Sequence, residues 1–156
     1  MRWWHRIVLA LSSALGLGYL PKAPGTWGTL LAIPIWWALR SLSTLHFAVV
    51  ALAFCFVSVV ISELAERIYG KHDVQKIVID EVAGLLVTAI GVPCRWQQVL
   101  AAFLLFRLFD MTKPGPIRTL DQRVSGGLGV VLDDVAAGLL ACGLLHATRF
   151  AFGGWW

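Results

Sequence analysis

Phe103–Gly138 reads FLLFRLFDMTKPGPIRTLDQRVSGGLGVVLDDVAAG, and its reading decides how the rest of the chain must fold. It holds four of the nine acids (Asp110, Asp121, Asp133, Asp134) and four of the thirteen bases (Arg107, Lys113, Arg118, Arg123), all set in oily sequence. A charge in an apolar helix is costly unless it is paired or ligates a metal. Asp110, Asp133 and Asp134 abut long apolar runs. The stretch therefore reads as two apolar runs joined by a turn-rich polar segment, Met111–Gly129, with Asp110, Asp133 and Asp134 helping to hold a divalent cation at a membrane surface.

Working outward, composition supports a bilayer as solvent for part of the chain. Of 156 residues, 58% are hydrophobic and only 14% charged, and mean hydropathy is +0.76; ordinary soluble domains carry about 25% charged residues. The length suits one domain, residues 1–156, with a substantial core. The eight tryptophans fit interfacial anchoring, above all Trp3, Trp4, Trp155 and Trp156 near the chain ends. Net charge is +4, but no basic cluster is dense enough for a nucleic-acid surface, so the excess suits lipid headgroups or cytoplasmic loops. Cys55, Cys94 and Cys142 lie far apart without a CxxC pair and read as reduced, buried small hydrophobes. Arg2 and Arg6 precede an apolar run, but no small-x-small cleavage site follows, so the run reads as part of the mature protein.

Ile7–Leu20 reads as a helix that turns at Gly16 and Gly18. PKAPGTWGT (Pro21–Thr29) reads as a structured loop, with Thr26 a candidate cap for the next helix. Pro34 predicts a kink or a helix start within Leu30–Leu39. Ser41–Ser62 is uncharged and meets the length of a full span, about 20 residues; His46 within it reads as a neutral histidine satisfied by a neighbour. Glu63, Glu66 and Arg67 mark emergence into water. Val82–Cys94 and Val135–Thr148 are uncharged runs shorter than a span, each entered through an acid pair. Period-two alternation is weak, so strands are not expected. The pattern predicts helices whose polar ends converge at one membrane depth, with between one and about four full spans.

The acid pairs Asp80-Glu81 and Asp133-Asp134 each begin a helix-like run. Neighbours on a helix point about 100° apart, so one member can bind metal while the other caps the helix or orients a ligand. A helix dipole alone would also favour such carboxylates, but Asp110 ends an apolar run rather than opening one. Gly84 and Gly138 lie on the carboxylate faces and let helices approach closely. Arg107, Asp110 and Lys113, spaced by three, form one stripe if helical, although Pro114 disfavours helix at Lys113. Either the stripe is salt-bridged, or Asp110 serves the cation and the bases meet a phosphate; Lys22 is a further phosphate candidate. Carboxylates with bases, and no Ser/His/Asp or Cys/His arrangement, suit Mg²⁺ chemistry on a phosphate ester.

Four stretches carry a family resemblance: LPKAPGTWGTL (Leu20–Leu30), IVIDEVAG (Ile77–Gly84), FRLFDMTKPGPI (Phe106–Ile117) and GGLGVVLDDVAAG (Gly126–Gly138). In this order they resemble the phosphatidylglycerophosphatase A family. The resemblance implies an all-α fold, a compact bundle of about six helices around a central helix, partly membrane-embedded. It implies a Mg²⁺-dependent lipid phosphatase of the bacterial inner membrane, its active site facing the cytoplasm, that converts phosphatidylglycerophosphate to phosphatidylglycerol and phosphate. Metal ligands would be Asp80, Asp110 and Asp134. Glu81 and Asp133 would be catalytic, as proton acceptor or orienting groups. Lys22, Arg107 and Lys113 would bind the phosphate. Where the family usually has Lys-Asp-Pro this chain has KHDVQ (Lys71–Gln75), and Gly115 replaces an aromatic residue. Two alternatives stand beside this reading: a small transporter or channel with an acid-lined path, and a phosphatase for another lipid phosphate.

Overall fold

A computed structural model describes residues 2–71, 74–115, 117–118 and 124–154. Among these residues there is no strand, and six α-helices have ten residues or more: α1 (Trp3–Ser12), α2 (Pro24–Leu39), α3 (Thr44–Tyr69), α4 (Ile79–Thr88), α5 (Trp96–Thr112) and α6 (Gly126–Ala151). α1 ends at Ser12, short of the glycines expected to turn it; Ala14, Leu15 and Gly16, with φ of 50°, 61° and 101°, lead into a short 3₁₀ turn, Leu17–Tyr19. The all-α expectation holds. Trp155, Trp156, Asp73, Asp121 and Arg123 lie outside the described residues.

The central element is the short α4. It packs against α2, α3, α5 and α6, and nine of its ten residues are buried, Glu81 being half-buried. At ten residues and about 1.5 Å per residue it does not cross a bilayer. Its far end stops inside the bundle, where loose backbone groups need partners. α6 supplies them: His146 Nε2 stands 2.9 Å from Ile90 O, and Cys142 Sγ donates to the same oxygen at 3.5 Å. Thr88 Oγ1 donates to Gly84 O and to Gly138 O.

Glycine sets the α4–α6 distance. A Cβ on Gly138 would collide with Gly84 O, and one on Gly84 would meet the Phe106 ring and stand 2.9 Å from Asp134 O. The small residues expected on the carboxylate faces are thus where the two helices touch.

α3 and α6, each of 26 residues, are long and apolar enough to cross a membrane. α3 buries little of itself: Leu45, Val49, Leu52, Phe56 and Val60 form an exposed apolar band, and Leu139, Leu140 and Leu144 do the same on α6. Such bands in water would be an aggregation surface, whereas lipid solvates them. This is a membrane protein.

Several local expectations are corrected. PKAPGTWGT is not all loop. α2 begins at Pro24, because proline at the first helical position gives up only an N–H that has no helical partner. Ala23, in the left-handed region at φ 48°, is the N-cap, and Thr26 lies inside the first turn. The glycines there serve contact: a Cβ on Gly28 would stand 2.6 Å from Val78 O. α2 also runs through Pro34, so no helix begins there, and the ring costs it one backbone bond. α3 runs past Glu63, Glu66 and Arg67 to Gly70, whose φ of 66° caps it. α6 begins within the segment read as turn-rich, so Asp133 and Asp134 lie about two turns inside it rather than at its start. The three free cysteines are half-buried rather than buried. His46 is exposed in the first turn of α3, its Nδ1 2.7 Å from Ser43 Oγ, satisfied by a neighbour as expected.

Candidate active site

The beginnings of α2, α4 and α6 and the end of α5 meet at one end of the bundle. Around them is a cavity of about 740 Å³, lined among others by Asp80, Glu81, Arg107, Asp110, Lys113, Asp133 and Asp134. Five of the nine acids, distant in sequence, thus share one hollow.

Asp80 and Glu81 occupy the first turn of α4, where the helix dipole favours negative charge. Asp134 reaches them from α6 across the glycine contact. One oxygen from each of Asp80, Glu81 and Asp134 lies within 4.8 Å of the other two. Asp110 lines the same cavity and has Asp134 as a hydrogen-bonding neighbour. The tight trio therefore contains Glu81, with Asp110 alongside.

Burial pushes the Asp80 carboxyl well above the ordinary carboxylate range, and the negative charges of Glu81 and Asp134 push it further. Glu81 is also raised, chiefly by burial, although a hydrogen bond from Asp80 and the charge of Arg107 pull the other way. Like charges crowded out of water raise one another's proton affinity unless a cation neutralises them. Asp80 Oδ1 and Glu81 Oε2 are buried and lack a hydrogen-bond partner among the described residues. Converging carboxylate oxygens left without donors fit a hard divalent cation; they are a poor arrangement without one.

The bases are engaged with acids. Arg107 Nη1 stands 2.5 Å from Asp110 Oδ2 within α5. Lys113 Nζ stands 2.6 Å from Asp133 Oδ2 on α6. Lys113 leaves the helical stripe as the C-cap of α5, with φ 41° in the left-handed region; the following Pro114 disfavours helix at this position but does not itself call for that conformation. That turn aims its ammonium at α6 instead of along α5. Gly25 closes the hollow from α2: a Cβ there would collide with Glu81 Oε1 and stand 3.2 Å from Arg107 Nη1. No reading of linear sequence singles out Gly25 for this; the tight loop-to-helix motif around it was the available signal. Lys22 is exposed, and its carbonyl accepts the Trp27 indole N–H at 3.1 Å. Its neighbours Pro21 and Ala23 line the cavity.

The chain matches the family model described as phosphatidylglycerophosphatase A over residues 10–149. It is 39% identical over 145 residues to a phosphatidylglycerophosphatase A of Escherichia coli, covering 92% of this chain and 81% of that one. A protein of the same name from Haemophilus influenzae is 35% identical over 142 residues, 90% of this chain and 87% of that one. A putative phosphatidylinositol-3-phosphatase of Bacteroides thetaiotaomicron is 37% identical over 151 residues, covering 92% and 94%. No solved structure matches the chain. The match spans all the elements that bring the five acids together, and the chain belongs to the phosphatidylglycerophosphatase A family.

Proposed function

We propose that this protein hydrolyses phosphatidylglycerophosphate to phosphatidylglycerol and phosphate, with Mg²⁺ held by Asp80, Glu81 and Asp134 and with Asp110 beside them. The observation that carries the reading is the trio of converging, buried carboxylates facing two bases in one hollow of a membrane protein. The names of the Escherichia coli and Haemophilus influenzae relatives supply the substrate. When bound, the cation polarises the phosphoryl group and lowers the pKa of a coordinated water.

The chain's own residues do the rest. Arg107 and Lys113 exchange part of their carboxylate pairing for the phosphate and neutralise charge that shifts in the transition state. Lys22, at the cavity rim, offers a further cation. Asp133, oriented by Lys113, accepts the proton lost as the water oxygen bonds to phosphorus. The P–O ester bond breaks with its electron pair on the glycerol oxygen, which takes up the proton that Asp133 accepted and leaves as the alcohol. Water and a phosphate monoester become an alcohol and phosphate.

The fold supports an active site on the cytoplasmic face of the inner membrane. Lys22, Arg67, Lys71 and Lys76 lie near the cavity end of the helices, whereas Arg40, Arg95 and Arg149 lie near the opposite end. Excess bases mark the cytoplasmic side. The gathering of acids at one end, rather than along a path, favours hydrolysis over conduction.

The test is phosphate release from phosphatidylglycerophosphate by purified protein, with Mg²⁺ and with EDTA, beside a panel including phosphatidylinositol 3-phosphate. Release that needs Mg²⁺ and favours the first lipid supports the reading. Release favouring the second would shift the substrate toward the one named for the Bacteroides relative. No release from any member would refute it.

A further inference from the structure

The outer face of α5 carries one unbroken apolar stripe: Trp96, Leu100, Leu104, Leu108 and Met111, all exposed. The spacing is four, four, four and three, so successive side chains are neighbours along one face. The stripe covers about 22 Å at 1.5 Å per residue, more than the roughly 15 Å hydrocarbon depth of one leaflet. It differs from the lipid-facing bands on α3 and α6 in where it ends. Met111, 74% exposed, is also a wall of the cavity that holds the carboxylates. Arg107, one turn earlier on the same face, reaches past Gly25 of α2. α5 packs closely on α6 and only sparsely on α2, so this flank is the looser side of the bundle. A continuous apolar surface thus runs from the membrane interior to within one helical turn of a phosphate-binding arginine.

We propose that this stripe is the acyl-chain track of the substrate: the lipid enters sideways between α5 and α2, its chains lying on Leu104 and Leu108 and its headgroup turning past Met111 into the cavity. The track rests on the lipid-phosphatase reading above. It makes chain length a determinant of apparent affinity, while the chemical step stays with the carboxylates.

The test compares long-chain phosphatidylglycerophosphate in mixed micelles with a water-soluble short-chain ester of the same headgroup. Wild type, Leu104→Gln and Leu108→Gln are assayed beside Leu52→Gln, a control at an exposed apolar position of α3. Loss of one well-covered leucine contact should raise KM for the long-chain lipid about tenfold relative to the short-chain ester. kcat on the long-chain lipid should stay within about twofold, a split that general misfolding would not produce. Leu104→Met and Leu108→Met should restore the wild-type ratio. An unchanged ratio in both glutamine variants overturns the track, and so does an equal change in Leu52→Gln, which would make the stripe ordinary lipid contact. If wild type hydrolyses neither ester, the phosphatase reading itself fails and takes the track with it.

Discussion

Lys113 Nζ lies 2.6 Å from Asp133 Oδ2, tying the C-cap of α5 to the interior of α6. The pair is partly buried, with Lys113 the more exposed partner. Removing one partner strands the other charge, which is costlier than removing both. Lys113→Met should lower kcat by about 10²-fold, the scale for losing one transition-state cation or donor. It should also lower Tm, whereas Lys113→Met with Asp133→Asn should recover most of the Tm and none of the activity. Steady-state phosphate release and thermal unfolding on the same preparations check both halves.

Asp80→Asn and Asp134→Asn should each abolish detectable turnover. In EDTA they should unfold at a higher temperature than wild type, because each removes a buried like charge. Added Mg²⁺ should raise Tm in wild type by mass action and much less in the variants. A variant that kept near-normal turnover would remove that residue from the ligand set.

Acidity should act on the metal-free protein in a defined direction. The Asp80 and Glu81 carboxyls are held above their ordinary range, mainly by burial. The folded state therefore binds more protons than the unfolded one. Stability attributable to these groups is fully present below about pH 4, the unfolded carboxyl value, and is lost as pH rises through their folded values. Because a cation needs the deprotonated groups, Mg²⁺ affinity should climb over the same range. Denaturant unfolding against pH, with EDTA and with Mg²⁺, reads both trends; a metal-free protein that gained stability from pH 5 to 7 would contradict them.

Gly25→Ala should cost more activity than stability. Its added methyl meets the Glu81 carboxylate and the Arg107 guanidinium, both part of the site. By contrast, Gly138→Ala presses on the Gly84 backbone and should destabilise the α4–α6 contact by about 1–3 kcal/mol, the usual range for overpacking. Measuring Tm and kcat for both variants separates the two effects.

The acids were legible because five of them abut apolar runs, where an unpaired charge is hard to explain except by convergence. Gly84 and Gly138 were legible for a similar reason, lying one helical turn from Glu81 and Asp134. The PKAPGTWGT segment misled because proline and glycine usually break helices, yet here Pro24 starts one and Gly25 and Gly28 make room for other chains of atoms. Two turns of α6 were hidden by Asp133 and Asp134, which open an uncharged run on paper and sit within a continuous helix in space. Sidedness could not be read from linear order, since bases flank almost every apolar run. Only once the helices are stacked do Lys22, Arg67, Lys71 and Lys76 fall at one end. The place of Gly25 beside Glu81, and the pairing of Lys113 with Asp133, depend on tertiary contacts that no local pattern encodes.

That α4 halts midway, its loop carbonyl received by His146 and Cys142, has a bearing on biogenesis. Those receiving groups belong to α6, which leaves the ribosome after the other five helices described. Until α6 packs against it, the inner end of α4 lacks these partners, and the seat of α4 in the bundle is incomplete. The reaction centre is then completed only once α6 is in place, and a chain truncated before His146 would leave it unassembled.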